Sequence, residues 1–344
     1  GNTGLIQARL GEVVLASGSA MTLDLNGDGL VGFSVDAATV SELAGVDNLG
    51  RITADGGSVL MTAAVARGLL GTVVNNEGLV RAQSIEAGAD GSIMLSASGG
   101  GISQSGTLDA SAAGNGNGGN IQLLADGDIE LAAGSRTLAR GGDAGHGGEI
   151  RSIAEGDLYS AGTARVDVRG GASGGLVELS GHRGITIRGS QQIGPGGRLL
   201  IDPSEISIGA SGGQGCEFDY CYELLEDVLV QGADVDLVAQ DLISFYATAD
   251  GHFDGRNGQG SGGNLLIGIG SVDGIYYRGA AGDIQVADGS LNAFLMDGGI
   301  SIYAGESSGS ISGFGELSGA GIELAAGGNI EVGALSSSSG SVDI

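Results

Sequence analysis

The chain contains no tryptophan and no lysine, and of its 344 residues only 4% are aromatic, 2 are proline and 2 are cysteine. Without the bulky rings that usually dominate globular cores, the interior is expected to be narrow and packed by Val, Ile, Leu and Ala. Two prolines among 72 glycines, with no three-residue period, exclude a collagen triple helix. No run approaches the roughly 18 to 20 apolar residues that a membrane-spanning helix needs, so no membrane insertion is expected. With 41% apolar residues, disorder is not expected either. All 14 basic residues are arginines, set against 41 acids, for a formal charge of −27. Nucleic-acid binding needs clustered basic residues that displace phosphate counterions, so that class is excluded. Acidity of this size keeps a long chain soluble and attracts cations. The chain opens at Gly1 with no charged-then-apolar leader, which reads as a mature chain or an excised piece.

What the sequence does have is repetition. Gly118-Gly119-Asn120-Ile121-Gln122-Leu123 returns as Gly147-Gly148-Glu149-Ile150-Arg151-Ser152 and as Gly174-Gly175-Leu176-Val177-Glu178-Leu179, at intervals of 29 and 27 residues (147 − 118 and 174 − 147). A nearly fixed period of this length signals stacked units, a solenoid. Within one repeat, 121–125, 128–132 and 136–140 are short apolar or alternating runs separated by Asp126-Gly127 and Ala133-Gly134-Ser135. Such runs read as strands, because a helix needs a longer periodic stretch. Triplets such as Ile129-Glu130-Leu131 and Ile322-Glu323-Leu324 put two aliphatic side chains inward and one polar chain outward. Three short strands per coil, stacked with their aliphatic residues in columns, make an all-β parallel β-helix. Aligning the glycine pairs places Gln122, Arg151 and Glu178 in one outward column. About 13 coils at a little under 5 Å each predict a length of about 60 Å.

Asp24-Leu25-Asn26-Gly27-Asp28-Gly29 imitates the start of an EF-hand loop, with Asp24, Asn26 and Asp28 as candidate calcium ligands. Position 12 of such a loop is Val35 where a bidentate carboxylate belongs, so a Gly-rich Asx turn fits the stretch better.

Several blocks carry a family resemblance. Asn48-Leu49-Gly50-Arg51-Ile52-Thr53-Ala54-Asp55-Gly56-Gly57-Ser58-Val59-Leu60-Met61-Thr62-Ala63, Val73-Val74-Asn75-Asn76-Glu77-Gly78-Leu79-Val80-Arg81-Ala82 and Ser105-Gly106-Thr107-Leu108-Asp109-Ala110-Ser111 resemble the filamentous haemagglutinin-like exoproteins of bacterial two-partner secretion. Leu23-Asp24-Leu25-Asn26-Gly27-Asp28-Gly29-Leu30 and Leu199-Leu200-Ile201-Asp202-Pro203-Ser204-Glu205-Ile206 are similar to further blocks of that family, so the matching order spans roughly residues 1 to 208. The resemblance implies a right-handed β-helical fibre, exported through an outer-membrane transporter and displayed outside the cell, often as an adhesin. The family's Asn-Pro-Asn-Gly type secretion motif does not occur, which implies a piece at or beyond the end of the secretion domain.

The expected organisation is therefore β-helix over 1–110 continuing from a secretion-domain-like region, regular repeats over 111–208, an insertion over 209–262, and repeats again over 263–344. In the insertion, Tyr222-Glu223-Leu224-Leu225-Glu226-Asp227-Val228-Leu229 has helical apolar spacing, followed by strands over 235–239 and 242–247. Cys216 and Cys221 enclose four residues; in a chain that looks secreted they favour a local disulfide closing a small surface loop. His146, His182 and His252 are scattered in Gly-rich turns without ligand spacing, so no metal site is expected from them. Tyr276, Tyr277 and Tyr303 mark the aromatic enrichment of the second half and read as a packed side-chain stack, with an outer stacking patch that meets a sugar or a partner as the alternative.

Three functional classes compete. A structural and adhesive shaft of an extracellular filament needs only length and surface. A polysaccharide-cleaving β-helix, lyase or glycosidase, needs carboxylates on adjacent coils, and Asp234, Asp236 and Asp241 near the insertion are the best candidates. A calcium-binding nonapeptide module needs regularly placed Asp, which Gly114 to Asn120 lack. Acids are spread evenly, so the shaft without catalytic activity or cofactor is the expectation, with the receptor on a host or bacterial surface, or a glycan, left unnamed. Both ends read as continuing into further coils, covalently or by head-to-tail stacking of identical chains.

Overall fold

The computed structural model describes residues 1–25, 31–36, 45–67, 71–85, 91–210, 216–246, 252–256, 262–269, 282–287 and 291–344. The protein is nearly all β, with many-stranded parallel sheets and, among the described residues, a single helix. It forms two compact units, Gly1–Ala172 and Ser173–Ile344.

In the first unit, every strand from Val46–Asn48 to Arg136–Leu138 pairs in parallel with the strand three further along the chain. One sheet holds Glu12–Ser17, Ser58–Ala64, Ser92–Ser98, Asn120–Ala125 and Glu149–Ala154. A second holds Val46–Asn48, Thr72–Asn76, Gly101–Gln104, Ile129–Leu131 and Asp157–Ser160. The third holds Leu5–Gln7, Arg51–Thr53, Leu79–Arg81, Thr107–Asp109, Arg136–Leu138 and Arg165–Asp167. Alternation along each strand sends one set of side chains inward, so the register stacks Val59, Ile93, Ile121 and Ile150 in one buried column and Ala63, Ala97, Ala125 and Ala154 in another. Gln122 sits beside Arg151, as the glycine alignment requires, and Arg151 pairs with Glu149 on its own strand. Ala20–Leu25 and Val31–Asp36 depart from the pattern as an antiparallel hairpin.

One inward column is polar. Asn2, Asn48, Asn76 and Gln104 are buried, the last three completely, and their amides form a continuous chain. Asn2 Nδ2 donates to Asn48 Oδ1 (2.9 Å), Asn48 Nδ2 to Asn76 Oδ1 (2.7 Å) and Asn76 Nδ2 to Gln104 Oε1 (2.7 Å). Gln104 Nε2 ends the chain on the carbonyl of Gly106, 3.0 Å away. An amide carries both donor and acceptor, so it can stack on its own kind without leaving a buried polar atom unsatisfied. Two residues beyond each amide the backbone turns so tightly that a Cβ on Gly78 would lie 2.0 Å from the Gly50 carbonyl oxygen, and one on Gly106 would lie 2.1 Å from that of Gly78. Only glycine fits there.

The second unit repeats the scheme less regularly. One parallel sheet runs through Leu176–Gly181, Arg198–Ile201, Asp234–Ala239, Leu265–Ile269, Ile300–Tyr303, Ile322–Ala325 and Val342–Asp343. Another joins Tyr220–Cys221, Glu205–Gly209, Leu242–Tyr246, Asp283–Ala287 and Ile311–Gly319, with Leu291–Met296 and Ile330–Ser337 on the last of these and His252–Gly255 on Leu291–Met296. The strands Asp234–Ala239 and Leu242–Tyr246 therefore keep the ladders, and the interruption expected over 209–262 is narrower than its span. Gly313, with φ +83°, lies where the register of Ile311–Gly319 shifts, so one strand pairs first with Asp283–Ala287 and then with Leu291–Met296.

The helix α1, Tyr222–Val230, buries Tyr222, Leu225, Val228 and Leu229, and Glu223 sits in its first turn, where the helix dipole favours a negative charge. It covers a packed aromatic cluster. Phe253 stacks on Phe294 (ring centroids 4.2 Å), Tyr222 leans on Phe253 (5.4 Å), and Phe314 meets Phe245 edge-on (5.6 Å). The expected aromatic centre was Tyr276, Tyr277 and Tyr303; the first two lie outside the described residues, and the observed cluster joins Tyr222 of α1 to phenylalanines from four different strands. No described helix is long and apolar enough to cross a membrane.

Replacing Asn76 by leucine leaves Asn48 Nδ2 and Gln104 Oε1 buried without partners. At about 1 to 3 kcal/mol for each of the two orphaned groups, the expected cost is about 2 to 6 kcal/mol, read from the chemical denaturation midpoint. The neighbouring Asn75→Ala, which removes only an exposed contact to Glu77, is expected to cost no more than about 0.5 kcal/mol.

Candidate functional site

Parallel pairing brings the ends of three successive strands of the second unit to one corner. Glu178 lies opposite Leu200 and Leu179 opposite Ile201, so Asp202, whose N–H donates to the Leu179 carbonyl (3.2 Å), arrives beside Ser180. Ser180 Oγ donates to Glu178 Oε1 at 3.3 Å. His182 Nδ1 lies 3.3 Å from Gln240 Nε2, and the N–H groups of Gln240 and Asp241 both donate to the Ser204 carbonyl, at 3.0 and 2.9 Å. Two carboxylates, an imidazole and a hydroxyl, those of Glu178, Asp202, His182 and Ser180, thus share one corner.

Burial pushes the Asp202 carboxyl up to about 6, the nearby Glu178 carboxylate adds to the rise, and His182 opposes it. Asp202 therefore holds a proton at mildly acidic pH beside a second carboxylate, the arrangement of a general acid next to a base.

The sequence candidates fall elsewhere or take structural roles. Asp236 is buried and pairs with Arg198. Burial raises its carboxyl even though the Arg198 guanidinium acts in the opposite sense. Asp234 Oδ1 accepts from Asn264 N (2.8 Å) and Asn264 Nδ2 (3.0 Å), which ties one turn to the next. Asp241 joins the corner through its backbone. The three aspartates thus do not converge as a catalytic group. Of the calcium candidates, Asn26 and Asp28 lie outside the described residues; Asp24 is described only in its backbone, which pairs with Gly32 in the hairpin. Among the described residues no group of three or more His, Cys, Asp or Glu side chains is arranged to hold a metal.

Cys216 and Cys221 are bridged (S–S 2.08 Å). Cys221 is buried and is the residue at which α1 begins, so the bridge anchors the entry to the helix rather than a peripheral loop. In the first unit, Asp167 is fully buried between two guanidiniums: Arg165 Nη2 donates to Oδ2 at 2.6 Å, and Arg169 donates through Nη2 (2.8 Å) and Nε (3.0 Å). Burial pushes this carboxyl up, but the two arginines outweigh it and hold it below the usual range.

Sequence reading missed the corner because Asp202 lies 20 residues beyond His182 (202 − 182) and joins Glu178, Ser180 and His182 only through strand pairing. The available signal was the triplet register: aligning Val177-Glu178-Leu179 with Leu199-Leu200-Ile201 places Ser180 across from Asp202. The chain matches no protein-family model and no curated protein.

Asp202 carries a folded-state value above its unfolded one, so the folded state binds the extra proton between pH 4 and 6 and loses stability as pH rises through that window. Asp202→Asn is expected to flatten that part of the stability profile and, after allowance for partial exposure, to stabilise the protein at pH 7 by about 1 to 2 kcal/mol. Thermal melts of the two proteins across pH check it.

Proposed function

We propose that the chain is a structural and adhesive shaft: a right-handed parallel β-helix belonging to a secreted, cell-surface filament of the filamentous haemagglutinin-like kind. The observation that carries the reading is the register. From Val46–Asn48 to Arg136–Leu138 in the first unit, each strand lies on the one three later in the chain, with inward aliphatic and amide columns repeated turn after turn. Such construction gives length and a regular outer surface for few kinds of residue. The blocks Asn48 to Ala63, Val73 to Ala82 and Ser105 to Ser111, which carry the family resemblance, coincide with these turns. In this reading the chain passes an outer-membrane transporter during export, stacks head to tail or continues into neighbouring coils, and meets a surface or glycan receptor through its outward residues.

A second reading, a polysaccharide-cleaving β-helix, draws on one observation: the Glu178 and Asp202 carboxylates sit on adjacent turns with one of them raised to about 6.

Two measurements test these readings. Small-angle scattering of the isolated chain is expected to give an elongated particle of about 60 Å, from about 13 turns at strand spacing; a compact globular envelope would sink the shaft. Incubation with a panel of neutral and acidic polysaccharides is expected to release no new ends. Release by the wild-type chain that Asp202→Asn abolishes would favour the enzyme instead.

A further inference from the structure

An asparagine followed by glycine is open to attack on its own side chain, because glycine has no Cβ to shield the next backbone nitrogen. The chain holds four such pairs: Asn26-Gly27, Asn115-Gly116, Asn117-Gly118 and Asn257-Gly258. Asn26 and Asn257 lie outside the described residues. The middle two pairs follow one another directly in one loop, and nothing in their residue types separates them. Their surroundings in the first unit are opposite.

Three loops stack here, each following a strand of the sheet that holds Thr107–Asp109, Arg136–Leu138 and Arg165–Asp167. Gly142 N donates to the Gly116 carbonyl (2.9 Å), Gly171 N to that of Gly142 (3.0 Å) and Ala172 N to that of Gly145 (2.9 Å). His146, in the middle loop, holds both reacting groups of the second pair. Its N–H donates to Asn117 Oδ1 (3.0 Å), and its carbonyl accepts from Gly118 N (2.9 Å). Gly118 is also buried, and a Cβ on it would lie 2.1 Å from the Ala139 carbonyl oxygen. The nitrogen that would have to attack Asn117 is therefore hydrogen-bonded and enclosed. Asn115 is exposed, and its side chain has no hydrogen-bond partner among the described residues. Gly116 N likewise donates to no described residue, and a Cβ on Gly116 would meet nothing within 4 Å. The Gly142 bond holds the loop through the Gly116 carbonyl and leaves its N–H unengaged, whereas most backbone N–H groups are paired.

We propose that Asn115 is a site of spontaneous deamidation in the folded protein, and that Asn117 is protected from it. Gly116 N gives up its proton to water and bonds to Asn115 Cγ. The Cγ–Nδ2 bond then breaks, and the nitrogen leaves as ammonia with a proton from water, so a cyclic imide is left between the two residues. One water opens the imide at either carbonyl and yields an aspartyl or an isoaspartyl residue at position 115. The balance is one water consumed and one ammonia released, with no oxidant, reductant or cofactor. The product carries a new negative charge and, in the isoaspartyl form, an extra backbone carbon at an exposed loop tip, where such changes are best tolerated. The inference rests on neither the shaft nor the enzyme reading.

Peptide mapping by mass spectrometry tests it, after incubation of the full chain at physiological temperature and mildly alkaline pH. Fragment ions that break between the two asparagines assign each conversion to its residue. Asn115 is expected to convert at least about tenfold faster than Asn117, whose reaction waits for the Gly118 hydrogen bond and the loop around it to open. In concentrated urea the two are expected to convert at similar rates, because the protection of Asn117 belongs to the fold. Gly116→Ala is expected to slow conversion of Asn115 by more than about tenfold, since its methyl group shields the attacking nitrogen. That methyl group enters open space, so the variant keeps the fold, which circular dichroism confirms. Three outcomes overturn the proposal: Asn115 unchanged in the folded protein while the urea-unfolded chain converts, Asn117 as fast as Asn115 in the folded protein, or Gly116→Ala without effect on the rate.

Discussion

The governing constraint is parallel, in-register pairing between strands that recur along the chain. Backbone hydrogen bonds run between turns, so a residue's closest neighbour is its counterpart one turn later. Position after position, like must therefore tolerate like. Aliphatic side chains do so by packing, as in the column of Val59, Ile93, Ile121 and Ile150. Glycine does so at the turns, where Gly50, Gly78 and Gly106 approach too closely for any Cβ. Amides do so because each is both donor and acceptor, which is why Asn48, Asn76 and Gln104 can be fully buried in one column.

Charges cannot stack on themselves, and the outer surface shows how the fold manages them. Arg81 reaches across to Asp55 and Gln83 to Asp109, each bridging neighbouring turns. Asp167 is buried because two arginines from its own strand and the turn that follows enclose it. Arg136 and Arg165 lie side by side on adjacent strands, and Arg165 is held by the buried Asp167.

In the second unit the repeat is bent to other ends. The shift at Gly313 lets one strand serve two neighbours, and α1 lies over rings contributed by separate turns. The same unit holds the corner of Glu178, His182 and Asp202. Irregular turns collect polar groups there, and partial burial gives one of them a proton affinity suited to mildly acidic conditions.

The strands and their stacking were legible in the sequence because a short period combined with alternation leaves few ways to hide aliphatic residues: the runs 121–125, 128–132 and 136–140 correspond to Asn120–Ala125, Ile129–Leu131 and Arg136–Leu138. The helix at 222 was legible for the same reason, its apolar spacing. Composition also showed that the core lacks tryptophan and that the surface is acidic. What only the tertiary structure decided is which equivalent positions face inward as polar groups and which distant residues meet. Asn2, Asn48, Asn76 and Gln104 read as ordinary turn residues until the register shows each amide over the last. Phe245, Phe253, Phe294 and Phe314 lie on four different strands, and Asp202 meets Glu178 through a pairing whose offset shifts with every irregular turn. Local patterning specifies each strand's faces, whereas the neighbour across a ladder depends on the length of every intervening loop, and that sum is settled only when the turns close on one another.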